Sequence, residues 1–359
     1  MCSSTNSTNS KGWPEHLLDI YTGYQKSQIL FVTTNLELYD LLDNCDGGMT
    51  VFEIACKKNI NLDAIERILD LAAGLKLIKK DAGSDPAVYS NIPEVANALQ
   101  AHKPNNMVAA VLYASRIQYP LFQQLMTVIK DGNNTQAYKD AFGFEVTSET
   151  YGSLYSSDPD YTANFIQFMH DLSSITAPGV AKSFDISPFR RICDLGGGSG
   201  AIAYALASEY PNTSVAVFDL PSVIERAQNI RPEHSKVLKV EFVAGDFFKD
   251  EFPQANLYIL ARIVHNWEED KVHQLLKKSF NSLESGGAVL IVERLLNETK
   301  TGPLSTLVSN VAMLTSMTGK ERTEKEYRQL LEQHGFVDFR CHVVVGESRP
   351  LHAMLAYKQ

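Results

Sequence analysis

The chain has 359 residues, of which 44% are hydrophobic and 21% are charged, and its formal net charge is -9. These fractions are typical of a folded globular protein, and the length exceeds one ordinary hydrophobic core, so we expect two domains. The negative charge disfavours nucleic acid as a partner, because phosphate binding usually requires a basic surface.

The start of the chain and its cysteines predict an intracellular protein. Residues 1–13 are polar and contain no apolar signal segment, and no later run is long enough to span a bilayer. The five cysteines are scattered and have no CxxC spacing, which is typical of reduced thiols; they are Cys2, Cys45, Cys56, Cys193 and Cys341. We expect a cytoplasmic protein with a disordered tail at residues 1–13 and no membrane partner.

Residues 14–110 follow the outline of a winged helix. Two strongly apolar helices over residues 14–42 need burial on more than one side. Two further helical patterns follow, with Thr50 before the first and Asn61 or Asp63 at the start of the second. Two short strands around a Gly-Ser-Asp-Pro turn come next and form the expected wing.

A winged helix requires DNA binding to be weighed. The second helix carries Asp63, Glu66 and Asp70 against a single Arg67, so it would repel a phosphate backbone. We therefore interpret residues 14–110 as a dimerisation or substrate-lid domain, with a DNA-binding regulator as the alternative.

Residues 111–180 are predicted to be connecting helices that line a substrate pocket. The helix at 160–175 presents four apolar side chains at helical spacing, which are Phe165, Phe168, Met169 and Leu172. Core packing is the default interpretation of such a set. The position of the helix just before the last domain also allows Phe165 and Met169 to contact a substrate.

Residues 181–359 alternate between strand and helix patterns. Such a series predicts an α/β fold with a doubly wound, mostly parallel, Rossmann-like sheet of seven strands. The last two strand patterns are joined by a Gly-Glu-Ser-Arg-Pro turn, so one antiparallel strand must enter the sheet. Open sheets of this type bind ligands at the carboxyl ends of their strands.

A glycine-rich loop follows the first of these strands. The sequence ICDLGGGSG places Asp194 directly before a loop that contains Gly196 and Gly198. The loop also fits the dinucleotide motif GxGxxG/A, with Asp219 where a ribose-binding acid belongs, so the glycines alone do not separate NAD from S-adenosylmethionine. Asp194 favours S-adenosylmethionine, because a carboxylate there would repel a pyrophosphate and attract a sulfonium cation.

The ends of the next strands carry further candidate cofactor contacts. They are Asp219 and Leu220 after the second strand, Gly245, Asp246 and Phe247 after the third, and Arg262 after the fourth. Asp219 is placed to accept both ribose hydroxyls. Asp246 can accept from an adenine amino group, and Phe247 can stack on the adenine ring.

His265 follows the fourth strand and is the candidate general base. Glu293 lies 28 residues later, at the end of the next strand, so adjacent parallel strands would bring the two side by side. Glu293 could then hold one ring nitrogen while the other removes a proton from a substrate hydroxyl. The chain has no HxxxH pair, Cys/His cluster or DxDxDG loop, so we expect no metal.

Six motifs occur in the order DLGGGSG, VFDLP, GDFF, ARIVHNW, GGAVLIVERLL and GKERT. With them the chain, from about Trp13 onward, resembles the metal-independent small-molecule O-methyltransferases. This family includes the plant caffeate and isoflavone enzymes and the animal acetylserotonin enzyme. The resemblance implies a homodimer formed through the amino-terminal domain and S-adenosylmethionine bound at residues 181–359.

The resemblance also implies roles for individual residues. His265 matches the family's catalytic base, and Glu293 and Glu321 match the two acids that flank it. Tyr155 matches a further cofactor contact. The candidate substrate contacts are Phe165, Met169, Asn266, Ala312, Met313 and Ser316.

Departures from the family pattern bear on the substrate. Asn266 stands where most relatives have Asp, and Ala312 and Ser316 stand where the acetylserotonin enzyme has Asn and Gln. Thr176 replaces a Trp near the cofactor. The resemblance makes N-acetylserotonin or a related hydroxyindole the first candidate substrate, and these departures make a different phenol or natural-product hydroxyl the alternative.

Three other interpretations stay open at this point. An NAD-dependent oxidoreductase would explain the glycines but not the His-Asn-Trp motif with its glutamate. A winged-helix regulator with a ligand-binding domain would explain the amino-terminal half. A catalytically weak relative of the enzymes would explain Asn266.

Overall fold

The computed structural model describes residues 12–45, 47–143, 159–227, 229–230, 238–345 and 349–359. For residues 159–163 it describes the backbone alone. The chain divides into two compact units between Ser115 and Arg116. Each unit has its own set of buried apolar side chains.

The first unit is mostly helical and contains a small sheet with strand order β1-β3-β2. Its elements are α1 (Glu15–Asn35), α2 (Leu38–Asp43), β1 (Met49–Thr50), α3 (Val51–Lys58), α4 (Leu62–Gly74), β2 (Ile78–Asp81), β3 (Val88–Asn91), α5 (Pro93–Leu99) and α6 (Val108–Tyr113). The central strand β3 is antiparallel to both neighbours. The two predicted wing strands are therefore present, and β1 adds a third strand.

Side-chain caps fix the starts of α3 and α4. Thr50 accepts a hydrogen bond from the amide of Glu53, whose side chain accepts from the amide of Thr50 in return. The side chain of Asn61 accepts a hydrogen bond from the amide of Ala64 at the start of α4. Of the two candidate caps, Asn61 and Asp63, Asn61 is therefore the one that caps the helix.

Helix α1 leaves apolar side chains in solvent. Leu17, Ile20, Tyr21 and Tyr24 are each at least 50% exposed in the single chain. Several exposed apolar side chains on one helix indicate a surface that binds another protein surface more often than one that stays in solvent. It agrees with the expectation that this helix needs burial on more than one side.

The second unit begins with helices and continues as a strand–helix series. Its elements are a π-helical turn (Ala114–Gln118) that spans the unit boundary, α7 (Tyr119–Gln123), α8 (Leu125–Asp131), α9 (Thr135–Phe142), α10 (Pro159–Ala181), β4 (Arg191–Leu195), α11 (Ala201–Glu209), β5 (Ser214–Asp219), α12 (Pro221–Ala227), β6 (Val240–Ala244), β7 (Leu257–Ala261), a 3-10 turn (Val264–Asn266), α13 (Glu269–Ser282), β8 (Ala288–Glu293), β9 (Leu295–Leu296), α14 (Leu304–Ser316), β10 (Arg322–Thr323), α15 (Glu324–Gln333), β11 (Phe336–Val343) and β12 (His352–Lys358).

Seven strands of the described chain form one sheet in the order β11-β12-β8-β7-β4-β5-β6. Strands β4 to β8 are parallel, whereas β12 is antiparallel to β8 and β11 is antiparallel to β12. The predicted sheet is confirmed, including its antiparallel hairpin. The predicted turn of that hairpin includes residues 346–348, which lie outside the described residues.

Both faces of the sheet are covered. On β7, Leu257 and Ile259 belong to one buried cluster, and Tyr258 and Leu260 belong to the other. Burial on both faces explains why the central strands are continuous apolar runs with little alternation. The strand order reverses between β4 and β7, and such a switch point opens a crevice at the carboxyl ends of the strands.

One helix differs from its prediction. Helix α10 continues to Ala181, past the predicted end at residue 175, although it contains Pro178. A proline near a helix end removes a single backbone hydrogen bond. Ala177, Val180 and Ala181 are buried in the core of the second unit, and their packing offsets that loss.

No helix in the described part of the chain combines the length and the apolarity that crossing a bilayer requires.

Candidate active site

The glycine-rich loop is held against the end of β5. The amide of Gly198 donates to Oδ2 of Asp219 at 2.8 Å, and the amide of Leu220 donates to Oδ1 of the same carboxylate at 2.7 Å. Gly196 has a φ of +72°, and a Cβ there would collide with the side chain of Ile263. The loop therefore needs glycine at position 196 for its conformation, whereas the terminal methyl of Ile263 could move aside.

Asp194 is a buried carboxylate with an unsatisfied oxygen. Its residue is 1% exposed, and its Oδ1 atom has no hydrogen-bond partner in the described part of the chain. Burial and the nearby charge of Asp219 raise the pKa of Asp194 to about 7. Burial also raises the pKa of Asp219 to about 6, although the two backbone donors oppose the shift. The pair would gain from a cationic ligand, which compensates buried negative charge.

A cavity of about 410 Å³ opens beside these two carboxylates. Most of the predicted cofactor contacts line it, and these are Asp194, Gly196, Gly198, Asp219, Leu220, Gly245, Asp246, Phe247 and Arg262. Three predicted substrate contacts, Phe165, Met169 and Asn266, also line it. Tyr155 lies outside the described residues.

Helix α10 forms one wall of the cavity. Its lining residues are Phe165, Ile166, Met169 and Ser173, which include both predicted substrate contacts of this helix; Phe168 and Leu172, from the same apolar pattern, do not line the cavity. Ile166, Met169 and Ser173 are three and four residues apart and therefore lie on the same face of the helix. Helical periodicity would have identified Ile166 and Ser173 if it had been known that this face lines the cavity.

Arg262 connects the end of β7 to helix α10. It is 7% exposed and has a φ of +55°. Its Nη1 donates to Oγ of Ser173 at 3.2 Å, and its Nη2 donates to Oγ1 of Thr176 at 3.0 Å. The departure at position 176 is thus explained locally, because the threonine hydroxyl accepts a bond that a tryptophan side chain could not accept.

The end of β6 supplies an acidic and aromatic corner. Asp246 Oδ1 accepts from the amide of Phe248 at 2.9 Å, and Oδ2 lies 3.1 Å from Nζ of Lys249. The ring of Phe247 meets that of Trp267 edge to face, with centroids 5.9 Å apart. Phe248, Trp267 and Lys271 also line the cavity and were missed by the sequence reasoning, since no strand-end rule selects them.

His265 lies next to the cavity on the 3-10 turn, between the lining residues Ile263 and Trp267, but does not itself line it. Its Nδ1 atom is 3.1 Å from Oε1 of Glu321 and 3.3 Å from Oε2 of Glu293. Within the described residues, its Nε2 atom has no hydrogen-bond partner. The structure therefore brings together the three residues expected to act as base and flanking acids.

Three strand ends position this cluster. Glu293 ends β8, beside the end of β7, and its Oε1 accepts from the amides of Ile263 and His265 at 3.0 and 3.3 Å. Glu321 directly precedes β10, and β10 pairs in parallel with β9, which follows Glu293. This short pairing of two-residue strands brings the second glutamate to the histidine.

Burial and charge oppose each other in the cluster. Burial lowers the pKa of His265, but the two carboxylates at Nδ1 together outweigh it, and the pKa lies above its ordinary value. Burial raises the pKa of Glu293 to about 7. Burial acts on Glu321 in the same direction, but the charge and hydrogen bond of His265 and the hydroxyl of Ser309 hold its pKa below the usual range.

The same three side chains have ligand atoms within 4.8 Å of one another, a spacing that suits a metal ion. The imidazole already bridges the two carboxylates through Nδ1. The expectation of no metal stays a prediction.

The side-chain amide of Asn266 stabilises the local backbone. Its Nδ2 donates to the carbonyl of Arg262 at 2.9 Å and closes the turn that carries His265. An aspartate could not donate this bond unless it were protonated.

The remaining substrate candidates lie on α14, away from the cavity lining. Ala312 and Ser316 are buried, and Met313 is half-buried. The carbonyl of Ser316 accepts from the hydroxyl of Tyr138 at 3.1 Å. Their role in substrate binding stays a prediction.

Comparison with known proteins identifies relatives along nearly the whole chain. An O-methyltransferase domain model matches residues 122–337, and an O-methyltransferase dimerisation domain model matches residues 18–101. The acetylserotonin O-methyltransferase of Bos taurus is 35% identical over 325 residues, which cover 90% of this chain and 93% of the bovine protein.

A probable bifunctional dTTP/UTP pyrophosphatase/methyltransferase protein of Homo sapiens is also 35% identical, over 90% of this chain and 51% of that protein. Among solved structures, human N-acetylserotonin methyltransferase in complex with SAM matches with a TM-score of 0.89 and 33% identity, over 98% of this chain and 99% of that one. The chain belongs to the O-methyltransferase family.

Proposed function

We propose that the protein transfers the methyl group of S-adenosylmethionine to a hydroxyl of a small aromatic substrate, with His265 as the general base. The observation that carries the proposal is His265 itself. Its Nδ1 is hydrogen-bonded to the buried Glu321 and lies 3.3 Å from the buried Glu293, and its turn has neighbouring residues that line the cavity.

The cavity residues fit a cationic nucleoside. The unsatisfied Oδ1 of Asp194 and the raised pKa of this carboxyl favour a positively charged group nearby. Asp219 lies at the end of β5, where ribose hydroxyls are bound in sheets of this type. Leu220, Asp246, Phe247 and Arg262 would complete the cofactor contacts, with Tyr155 as a further predicted contact. S-adenosylmethionine, when bound, supplies an activated methyl group on its sulfonium.

The residues of the chain then have two tasks. Glu321 accepts the hydrogen bond of the Nδ1–H of His265, and the Glu293 carboxylate lies 3.3 Å from the same nitrogen, which leaves Nε2 as the basic nitrogen for the proton of the attacking hydroxyl. The two carboxylates also stabilise the imidazolium that forms. Most of the rate enhancement would come from positioning, because the methyl group needs no further activation.

Hydroxyindoles are the first substrate class to test. Two of the relatives described above are acetylserotonin enzymes, and the α10 wall with Phe165, Ile166 and Met169 offers an apolar surface to an aromatic ring. Ala312, Met313 and Ser316 are the proposed selectivity positions. The bifunctional human relative has the same 35% identity to this chain as the bovine acetylserotonin enzyme, and its name specifies no methyl acceptor. Phenols of other classes therefore belong in the same panel of substrates.

The domain assignment is part of the proposal. Residues 14–110 would form the homodimer, residues 111–180 would connect and line the substrate pocket, and residues 181–359 would bind the cofactor. The match to a dimerisation domain and the exposed apolar side chains of α1 support the homodimer. The cytoplasmic location predicted from the cysteines belongs to the same proposal.

The test combines binding and turnover. Calorimetric titration should detect S-adenosylmethionine and no NAD, and labelled cofactor should methylate at least one member of a panel of hydroxyindoles, catechols and flavonoid-like phenols. His265→Ala should lower kcat by about 100-fold or more with cofactor affinity nearly unchanged, since general bases contribute about 10²–10⁴-fold. An equal loss of affinity and turnover, or binding of NAD alone, would contradict the proposal.

A further inference from the structure

Ser309 carries the one hydroxyl that donates a hydrogen bond to the carboxylates of the His265 cluster among the described residues. It lies on α14 and is half-buried, and its Oγ donates to Oε1 of Glu321 at 2.6 Å. This is the same oxygen that lies 3.1 Å from Nδ1 of His265. One carboxylate oxygen therefore receives two donors, one from the helix and one from the imidazole.

The neighbouring residue fixes the backbone of the same glutamate. Asn310 Oδ1 accepts from the amide of Glu321 at 2.9 Å. Two consecutive residues of α14 thus hold Glu321 by its main chain and by its side chain. Among the described residues, no hydroxyl donates to Glu293; its Oε1 is bound by backbone amides, and its Oε2 lies 3.3 Å from Nδ1 of His265.

We propose that Ser309 is a positioning residue, which fixes Glu321 as the ionised acceptor of the Nδ1–H of His265 and keeps that carboxylate satisfied when the imidazole is neutral. The inference rests on the proposed role of His265 as the base. It assigns to α14 a function in the proton transfer that is separate from substrate contact.

The Ser309 hydroxyl changes the pKa of His265 in a direction that depends on whether it stabilises the charged or the neutral imidazole more. When His265 is charged, its own positive charge stabilises Glu321, and the serine adds little. When His265 is neutral, its Nδ1–H still donates to Oε1 but no longer carries a positive charge, so the hydroxyl supplies a larger share of the carboxylate's stabilisation and favours the neutral imidazole. Removal of the hydroxyl should therefore raise the pKa of His265.

Other charges around the cluster would be unchanged by this substitution. Glu293 faces His265 from β8, and Arg262 faces it from the end of β7. Arg294, directly after β8, acts on Glu321, and Tyr327 on α15 interacts with both glutamates and with Arg322 of β10. A shift caused by Ser309→Ala would thus report the lost hydrogen bond.

The test measures the pKa of His265 directly and does not depend on the acceptor. Two-dimensional NMR of the full-length protein with ¹³C-labelled histidine, assigned with His265→Asn, should show a rise of about 0.5–1 unit in Ser309→Ala. Ser309→Thr keeps a hydroxyl and should restore the wild-type value. Ser305→Ala, on the same helix, is the matched control and should leave the pKa unchanged.

Turnover gives the second measurement. With the best acceptor of the panel, kcat of Ser309→Ala at pH 7 should fall by about 3–10-fold and recover near pH 9, because a base with a raised pKa is freed at higher pH. An unchanged His265 pKa, or a loss of turnover that high pH does not restore, would show that Ser309 only packs. If His265→Asn keeps full turnover, the base itself is wrongly assigned and the inference is overturned together with it.

Discussion

Asp194 and Asp219 end adjacent parallel strands and place two carboxylates in the wall of one cavity. Their raised pKa values, about 7 and about 6, mean that the empty site takes up protons as the pH falls below neutral. A cationic ligand binds best to the ionised forms, so its binding must release protons in this range. We therefore expect the affinity for the cofactor to depend on pH.

The coupling can be tested at Asp194. The affinity for S-adenosylmethionine should rise between pH 6 and pH 8 and level off above about pH 8, because the carboxyl with the higher pKa becomes fully ionised there. Asp194→Asn should weaken binding by about 10–100-fold, the loss of one charge-assisted contact, and flatten the dependence. Calorimetry in two buffers of different ionisation enthalpy measures the affinity and the proton release together.

S-adenosylhomocysteine provides the control for this prediction, because its sulfur is uncharged. Its affinity should depend less steeply on pH than that of S-adenosylmethionine. The ligand-free variant should melt at the same temperature as the wild type or higher, since the substitution removes a buried charge that costs folding free energy and preserves the shape of the side chain. A wild-type affinity that does not change from pH 6 to pH 8 would contradict the assignment of Asp194.

Residue by residue, the cluster was only partly predictable. His265 and Glu293 follow consecutive strands, so the rule that neighbouring parallel strands end together places them side by side. Glu321 entered through the family resemblance, and Ser309 did not enter at all. The contacts of Glu321 and Ser309 form because the segment after α14 packs against the turn that carries His265. No periodic pattern in the sequence predicts this packing.

At the scale of elements, the turn that carries His265 is packed against the segment between α14 and β10. A Cβ at Gly319 would meet the carbonyl of His265 and would lie 2.6 Å from the amide and the carbonyl oxygen of Trp267. The amide of Thr318 also donates to the carbonyl of Asn266 at 3.2 Å. The position of the base thus depends on a glycine in another element.

Gly319→Ala should displace the turn, because backbone atoms cannot move aside as a flexible side chain can. We expect kcat to fall by at least about tenfold and the free energy of unfolding to fall by about 1–3 kcal/mol, as in overpacked cores. Turnover and denaturant unfolding measure the two effects. Gly74→Ala is the control, since its Cβ would meet no atom within 4 Å, and equal behaviour of the two variants would contradict the prediction.

The regular elements of the second unit were predictable, and the short ones were not. Strands such as β4 and β8 are apolar runs bounded by turn residues, so pattern alone locates them. The two-residue strands β9 and β10 have no such pattern, yet their pairing brings Glu321 to His265. Helix α10 passed its predicted end because packing in the core outweighed the local effect of Pro178.

At the scale of the whole molecule, the apolar side chains of α1 indicate assembly. Ile20 is 74% exposed and Tyr21 is 66% exposed in the single chain, in a segment that matches a dimerisation domain. Exposed apolar side chains of this size rarely stay in contact with water. The sequence predicted that α1 needs a partner surface, but a single chain does not identify the residues that supply it.

Ile20→Glu tests the assembly because it places a charge on the exposed apolar face without changing the core of the unit. Burial of one isoleucine is worth about 1.5–3 kcal/mol, and a homodimer carries the substitution twice, so the dimer should weaken by about 10²–10⁴-fold. Light scattering over a dilution series should then show dissociation at concentrations where the wild type stays dimeric. Ala64→Glu adds the same charge at an exposed alanine of α4 and should leave the mass unchanged. A wild-type chain that is monomeric throughout the series, or an Ile20→Glu variant that stays dimeric, would show that α1 does not form the interface.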